Sequence, residues 1–257
     1  MGSARTRLVV GNWKAGPPRA EAQHLAHQLV PAVQPLINSG LDIVICPPFP
    51  WLTDIADIVK ESGILVGAQT LAAVDTGDIT GEVPASLLCG ICEYALIGHY
   101  ERRIQCGERD GDIRKQIAAA LAADIRPIFC VGEPAEALEH GASRVVVAEQ
   151  LEAVLEGLIL DTRLVIAYAP VWTTIGMVIP PAAAYVNDVC GAIRETLADI
   201  TSVDLAAEAR IIYGGRLTES GVAALAMQPE IDGLLIGAGA TSPERFAFFS
   251  HAIVSSA

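Results

Sequence analysis

Eight short runs of apolar, largely β-branched residues divide this chain at fairly regular intervals. They are RLVVG (7–11), DIVIC (42–46), ILVGA (64–68), YALIG (94–98), RPIFCVG (126–132), LVIAY (164–168), RIIYGG (210–215) and DGLLIG (232–237). Each is nearly continuous in apolar residues, as a strand covered on both faces must be; a strand with one wet face would alternate. Each ends in glycine, proline or a polar group, the marks of a turn. Helical patterns fill most of the gaps, at 21–36, 111–124, 143–158, 181–200, 218–228 and 242–253. Ser143 and Ser242 stand where N-caps belong, and Pro243 where a first helical residue belongs.

Strand and helix alternating eight times in 257 residues predict an α/β chain folded as a (β/α)8 TIM barrel, a single domain over 1–257. A doubly wound sheet is the structural alternative, but no G-x-G-x-x-G follows the first run. No linker, low-complexity tract or block of like charge splits the chain.

The formal net charge of −13 makes the chain a poor partner for nucleic acid or an anionic membrane. Any phosphate site would therefore need its own local positive potential. The six scattered cysteines read as reduced thiols, and the N-terminal stretch lacks an apolar signal core, so a cytoplasmic protein is expected. No apolar run is long enough to span a bilayer.

Barrels of this kind carry their chemistry at the C-terminal ends of the strands. There the sequence offers Asn12 and Lys14 in GNWKAG, His99 and Glu101 in GHYERR, then APVW (169–172), YGGR (213–216) and GAGA (237–240). Taken singly, a lysine after a strand is solvated and a histidine is packed or capping. Placed together, they have a logic. Glycine turns expose backbone N–H groups to a phosphate, the lysine supplies positive charge, and a neutral histidine donates a hydrogen bond to a carbonyl or enolate oxygen. Nothing calls for a cofactor or metal: His24 and His27 lack a second ligand pair and read as surface residues, and Cys89 and Cys92 read as packed thiols before the fourth strand.

These motifs resemble triosephosphate isomerase along nearly the whole chain. VVGNWK, GAQ (67–69), TGEVPAS (80–86), IGHYERR with GE (107–108), CVGE (130–133), PVW (170–172), YGG (213–215) and the last glycine turn follow in the family's order. The resemblance implies a homodimeric barrel of glycolysis and gluconeogenesis that interconverts dihydroxyacetone phosphate and glyceraldehyde 3-phosphate. In the family's established scheme a glutamate removes a carbon-bound proton, a neutral histidine and a lysine stabilise the enediolate, and a loop closes over the phosphate. By position, Lys14 is the electrostatic residue, His99 the electrophile and Glu101 the buried acid near the lysine. Asn12, Gly176, Gly215, Arg216, Gly237 and Ala238 fall at substrate-binding positions. Thr80 falls in the loop that docks into the partner subunit, and Glu133 at a structural position.

The pattern breaks where the family places its base, immediately before PVW: here that residue is Ala169. A methyl group accepts no proton, and a positioned base contributes about 10²–10⁴-fold. Standard isomerase activity is therefore expected to be weak or absent. Tyr100 replaces a serine, the lid TTIGMVIPP (173–181) lacks the family's T-G-K tip, and Arg216 replaces another serine. Arg216 either points inward and grips an anion or points outward into water. Ala238 keeps its N–H donor if its φ stays negative. Three histories fit: a weakened isomerase, a non-catalytic binder of a phosphorylated ligand, or an enzyme on a different anionic substrate. Glu101 and Tyr100 are the titratable groups nearest the site. Glu101 reads as an ion-pair partner of Arg102, Arg103 or Lys14, and Tyr100 as a packed ring.

Overall fold

The computed structural model describes residues 5–74, 79–175 and 180–254. Eight parallel strands close into a barrel in sequence order. They are β1 (Leu8–Asn12), β2 (Asp42–Cys46), β3 (Leu65–Ala68), β4 (Tyr94–Ile97), β5 (Arg126–Val131), β6 (Val165–Tyr168), β7 (Arg210–Tyr213) and β8 (Gly233–Ile236), with β1 pairing β8 to complete the ring. Each expected strand is present, its ends within two residues of the expected ones: β2 matches in full, β1 runs one residue past Gly11, and β4, β5, β7 and β8 stop before their final glycines. Around them run α1 (Arg19–Asn38), α2 (Leu52–Val59), α3 (Ala85–Leu88), α4 (Tyr100–Gln105), α5 (Asp110–Ala122), α6 (Ala135–Glu139), α7 (Ser143–Leu155), α8 (Ala183–Ile200), α9 (Val203–Glu208), α10 (Val222–Ala226) and α11 (Pro243–Val254).

The continuous apolar runs make two cores at once. Leu8, Val10, Val44, Leu96, Ile128 and Ile212 meet inside the barrel. Their neighbours Val9, Ile43, Ile45, Ile97, Phe129 and Ile211 face the helices. Successive side chains of a strand point to opposite sides, so past the half-buried first residues of β2, β3, β5 and β7 each strand position is buried by one core or the other. Near the N-terminal mouth the interior turns polar: Arg210 pairs with Asp42 at 2.7 Å and donates to the Tyr94 hydroxyl at 2.7 Å.

Two details of the helix starts differ in outcome. Ser242 caps α11, its Oγ accepting from the Arg245 N–H at 3.3 Å. Ser143 does not cap α7. The first carbonyl to accept along that helix is Ala142, from Val146 N–H at 3.0 Å, so Ser143 already lies inside the first turn. Its buried Oγ–H instead donates to the Tyr185 hydroxyl oxygen at 2.8 Å, the Tyr185 proton itself going to Glu133. The expected pair of packed thiols is also half right: Cys92 is buried and Cys89 is exposed, because only Cys92 has reached the foot of β4. His24 and His27 are on the surface, as read. Among the described residues no helix is long and apolar enough to cross a membrane.

Candidate functional site

The ends of β1, β4, β7 and β8 open onto one cavity of about 290 Å³. Asn12, Lys14, His99 and Tyr100 line it together with the turns at 214–217 and 235–239. The strand-end residues gathered from the sequence therefore meet in space.

Lys14 sits at φ 55, the left-handed region that a side chain with a Cβ avoids. Two partners hold it there. The Asn12 side-chain oxygen accepts from the Lys14 N–H at 3.0 Å, and the Gln69 amide donates to the Lys14 carbonyl at 2.7 Å. Strain of this kind persists where the surroundings over-determine it. Gln69 also donates to the Cys46 carbonyl at 2.9 Å, tying the ends of β1 and β2 to the loop after β3. Sequence reading noted GAQ as a family motif but gave Gln69 no role.

His99 follows Gly98, whose φ of 70 turns the chain sharply out of β4. A Cβ there would also press on Ile113 at 3.1 Å, so glycine is required twice over. The His99 Nδ1 accepts from the Glu101 N–H at 3.3 Å, which leaves the ring proton on Nε2. Burial lowers its pKa to about 4, prevailing over the upward pull of the Glu101 charge, with the Lys14 charge adding a smaller push in the same direction as burial. The Glu101 carboxylate lies 3.6 Å from Nδ1, but with the imidazole neutral this is a contact and not an ion pair.

Glu101 pairs with Lys14, not with the neighbouring arginines. Arg102 goes to Glu108 at 2.8 Å and Arg103 to Asp110 at 2.7 Å. Burial pushes the Glu101 carboxyl upward, but hydrogen bonds from Lys14 and Tyr100 and the nearby positive charge hold it below the usual range. It is not the buried acid expected by resemblance, since 31% of its side chain is exposed. Tyr100 is more than a packed ring. Its ring packs against His99, tilted by 37° with centroids 4.7 Å apart, and its hydroxyl donates to Glu101 at 3.1 Å. Burial, then the Glu101 charge, raise its pKa to about 12, and a hydrogen bond with Thr174 works the other way. A phenol so raised is a poor base, and a carboxylate so lowered is a weak one.

Ala169 directly follows β6, only 8% exposed, its N–H donated to the Val131 carbonyl at 2.7 Å. Gly132 allows this approach: a Cβ there would come within 2.1 Å of the Ala169 oxygen. No described carboxylate takes over the position, since Glu101 is engaged with Lys14 and Glu133 is fully buried behind the PVW turn. Glu133 there accepts from the hydroxyls of Tyr168 at 3.1 Å and Tyr185 at 2.9 Å and from the Trp172 indole at 2.8 Å.

The glycine turns present free donors. Gly214 gives its N–H to the Tyr168 carbonyl at 2.7 Å, whereas Gly215, Gly237 and Ala238 give theirs to no acceptor among the described residues. Ala238 has no positive φ, so the alanine leaves that donor in place. Arg216 is exposed yet lines the cavity, so it stands at the mouth, and its own N–H goes to Thr173 Oγ1 at 3.3 Å. Arg245, on α11, lines the same mouth and was missed by reading strand ends alone. Gly176 lies outside the described residues. Thr80 is exposed in the turn before α3. Among the described residues no group of three or more metal-ligating side chains is assembled.

A pH dependence follows from His99. Unfolded histidine titrates near ~6.5, so between that value and about 4 the unfolded chain binds the extra proton and the folded chain does not. Stability therefore rises with pH across this window. Urea unfolding at stepped pH should show about 3 kcal/mol lost through this residue between pH 7 and pH 4. His99→Gln should flatten that slope; an unchanged slope would place the titration elsewhere.

Compared with known proteins, the sequence model of the family described as Triosephosphate isomerase matches residues 7–253. A protein named Triosephosphate isomerase from Dehalococcoides mccartyi is 36% identical over 242 residues, 94% of either chain. Its namesake from Rhodopirellula baltica is 37% identical over 247 residues, 95% of this chain and 96% of that one. A third, from a Synechococcus strain, is 38% identical over 251 residues, 95% of this chain and 93% of that one.

Proposed function

Because the chain belongs to the triosephosphate isomerase family, we propose that its cavity takes a small phosphorylated ligand and that ordinary triose phosphate isomerisation is weak or absent. The observation that carries this reading is a set of anion- and carbonyl-binding groups gathered at one cavity beside an absent base. Lys14, the Nε2–H of His99 and the free N–H groups of Gly215, Gly237 and Ala238 converge on one cavity, while Ala169 holds the base position. Backbone donors at the two turns suit a phosphate, with Lys14 adding positive potential in an acidic chain. His99 suits a carbonyl oxygen, since a neutral imidazole donor polarises it without surrendering a proton. What the site lacks is a group to take the proton from carbon, so it stabilises an enediolate that it has little means of forming. The exposed turn at Thr80 is the segment we assign to a partner subunit in a homodimer.

Calorimetric titration with glycerol 3-phosphate tests the binding half, and turnover of glyceraldehyde 3-phosphate by protein free of host isomerase tests the missing one. Binding should weaken at least about tenfold in Lys14→Ala, the loss of one charge-assisted contact. Turnover should lie about 10²-fold or more below that of the R. baltica relative assayed alongside. Comparable turnover would overturn the reading, as would phosphate binding indifferent to Lys14.

A further inference from the structure

With 30 acidic side chains against 17 basic ones, arginines in this chain have carboxylates to hand. Arg102, Arg103, Arg194 and Arg210 each hold one at 2.7 or 2.8 Å. Arg7, Arg114 and Arg126, which are in no ion pair, spend their guanidiniums on backbone carbonyls or the Tyr94 hydroxyl. Arg216 and Arg245 are in no ion pair among the described residues either, and of the unpaired arginines these two line the mouth of the cavity that holds Lys14 and His99. They arrive from different elements, Arg216 from the turn after β7 and Arg245 from the first turn of α11. Arg245 is braced by the Phe249 ring one turn on, its guanidinium carbon 5.8 Å from the centroid.

The charge within the cavity is thus unevenly matched. Lys14 is balanced by Glu101. The two guanidiniums at the mouth are balanced by nothing described. The phosphate of the proposed ligand already has donors in the turns at Gly215 and at Gly237–Ala238, and the Arg216 N–H is committed to Thr173. What remains is a pair of planar forks, the geometry that recognises carboxylates and phosphates. An acidic chain gains no folding stability from collecting unpaired cations at one spot, so their convergence points to a ligand that brings the charge.

We propose that the ligand of this cavity carries two anionic groups: a phosphate seated on the glycine turns, and a carboxylate or second phosphate held by Arg216 and Arg245. This rests on the reading that the cavity takes a phosphorylated ligand. It separates the ligand from a triose phosphate, which has a single anionic group.

Three probes test it by calorimetry at low ionic strength: glycerol 3-phosphate, 3-phosphoglycerate and propane-1,3-diol bisphosphate. At least one of the two-anion probes should bind about tenfold tighter than glycerol 3-phosphate, or better, and the one that gains identifies the second group as carboxylate or phosphate. Arg216→Gln and Arg245→Gln should each erase most of that preference, weakening the favoured two-anion probe about tenfold more than glycerol 3-phosphate. Both side chains are exposed, so a thermal melt should confirm that the variants fold. Equal binding of all three probes overturns the proposal. So does an equal loss for every probe in the variants, since the arginines would then serve the phosphate itself. If glycerol 3-phosphate binds through Lys14 without a two-anion preference, this inference alone fails. If no probe binds, the phosphate site fails with it.

Discussion

Replacing Ala169 by glutamate should raise the rate at which solvent deuterium enters dihydroxyacetone phosphate by about 10²–10⁴-fold, the contribution of a positioned general base. The substitution adds the one group the site lacks. Ala169 is fixed by its hydrogen bond to Val131, and its Cβ lies beside Gly214, which lines the cavity. A longer side chain from that position passes over a residue with no side chain of its own. The electrophilic half needs no rebuilding, because His99 is neutral and Lys14 is held in place by Asn12 and Gln69. Mass spectrometry of the recovered substrate reads the exchange directly, without requiring full turnover. A gain below about tenfold would mean that the cavity no longer presents the substrate carbon to this position. The changes at Tyr100 and Arg216 would then have remade the pocket for another ligand.

The second large effect concerns Glu133. Glu133→Ala should cost about 3–5 kcal/mol in urea unfolding, because it strands donors buried around a carboxylate with no exposure of its own. The Trp172 indole and the hydroxyls of Tyr168 and Tyr185 lose their acceptor, and Tyr185 keeps only its contact with Ser143. Glu133→Gln retains an acceptor oxygen and should cost roughly half as much. Because Trp172 and Val171 both bond to Glu133, the second through its backbone carbonyl at 3.0 Å, the residue fixes the PVW turn that follows Ala169. A loss below about 1 kcal/mol would show that the turn holds itself.

The barrel was legible because burial on both faces leaves a coarse mark: continuous apolar runs ended by glycine or proline, as in YALIG and in DIVIC before Pro47. The absent base was legible because it is a local fact, one residue before PVW. Pairings across elements left no such mark. Nothing in GHYERR says whether Glu101 faces Arg102, Arg103 or Lys14, since all three lie within reach of a flexible chain. The Tyr100 hydroxyl gave no sign that it would turn back to Glu101. Ser143 had the composition of a cap, but whether a serine is the last residue outside a helix or the first inside depends on where the preceding turn releases the chain.

The sequence by itself determined the strand order, the strand-end positions of Lys14, His99 and the glycine turns, the family, and the loss of the carboxylate at Ala169. These follow from periodicity and from neighbours along the chain, which water and backbone geometry enforce locally. Only the tertiary structure decided that Glu101 neutralises Lys14, that His99 is buried enough to stay neutral, and that Arg245 joins Arg216 at the mouth of the cavity. Each of those depends on which distant side chains exclude water from the same space, and electrostatics acts through that space without regard to separation along the chain.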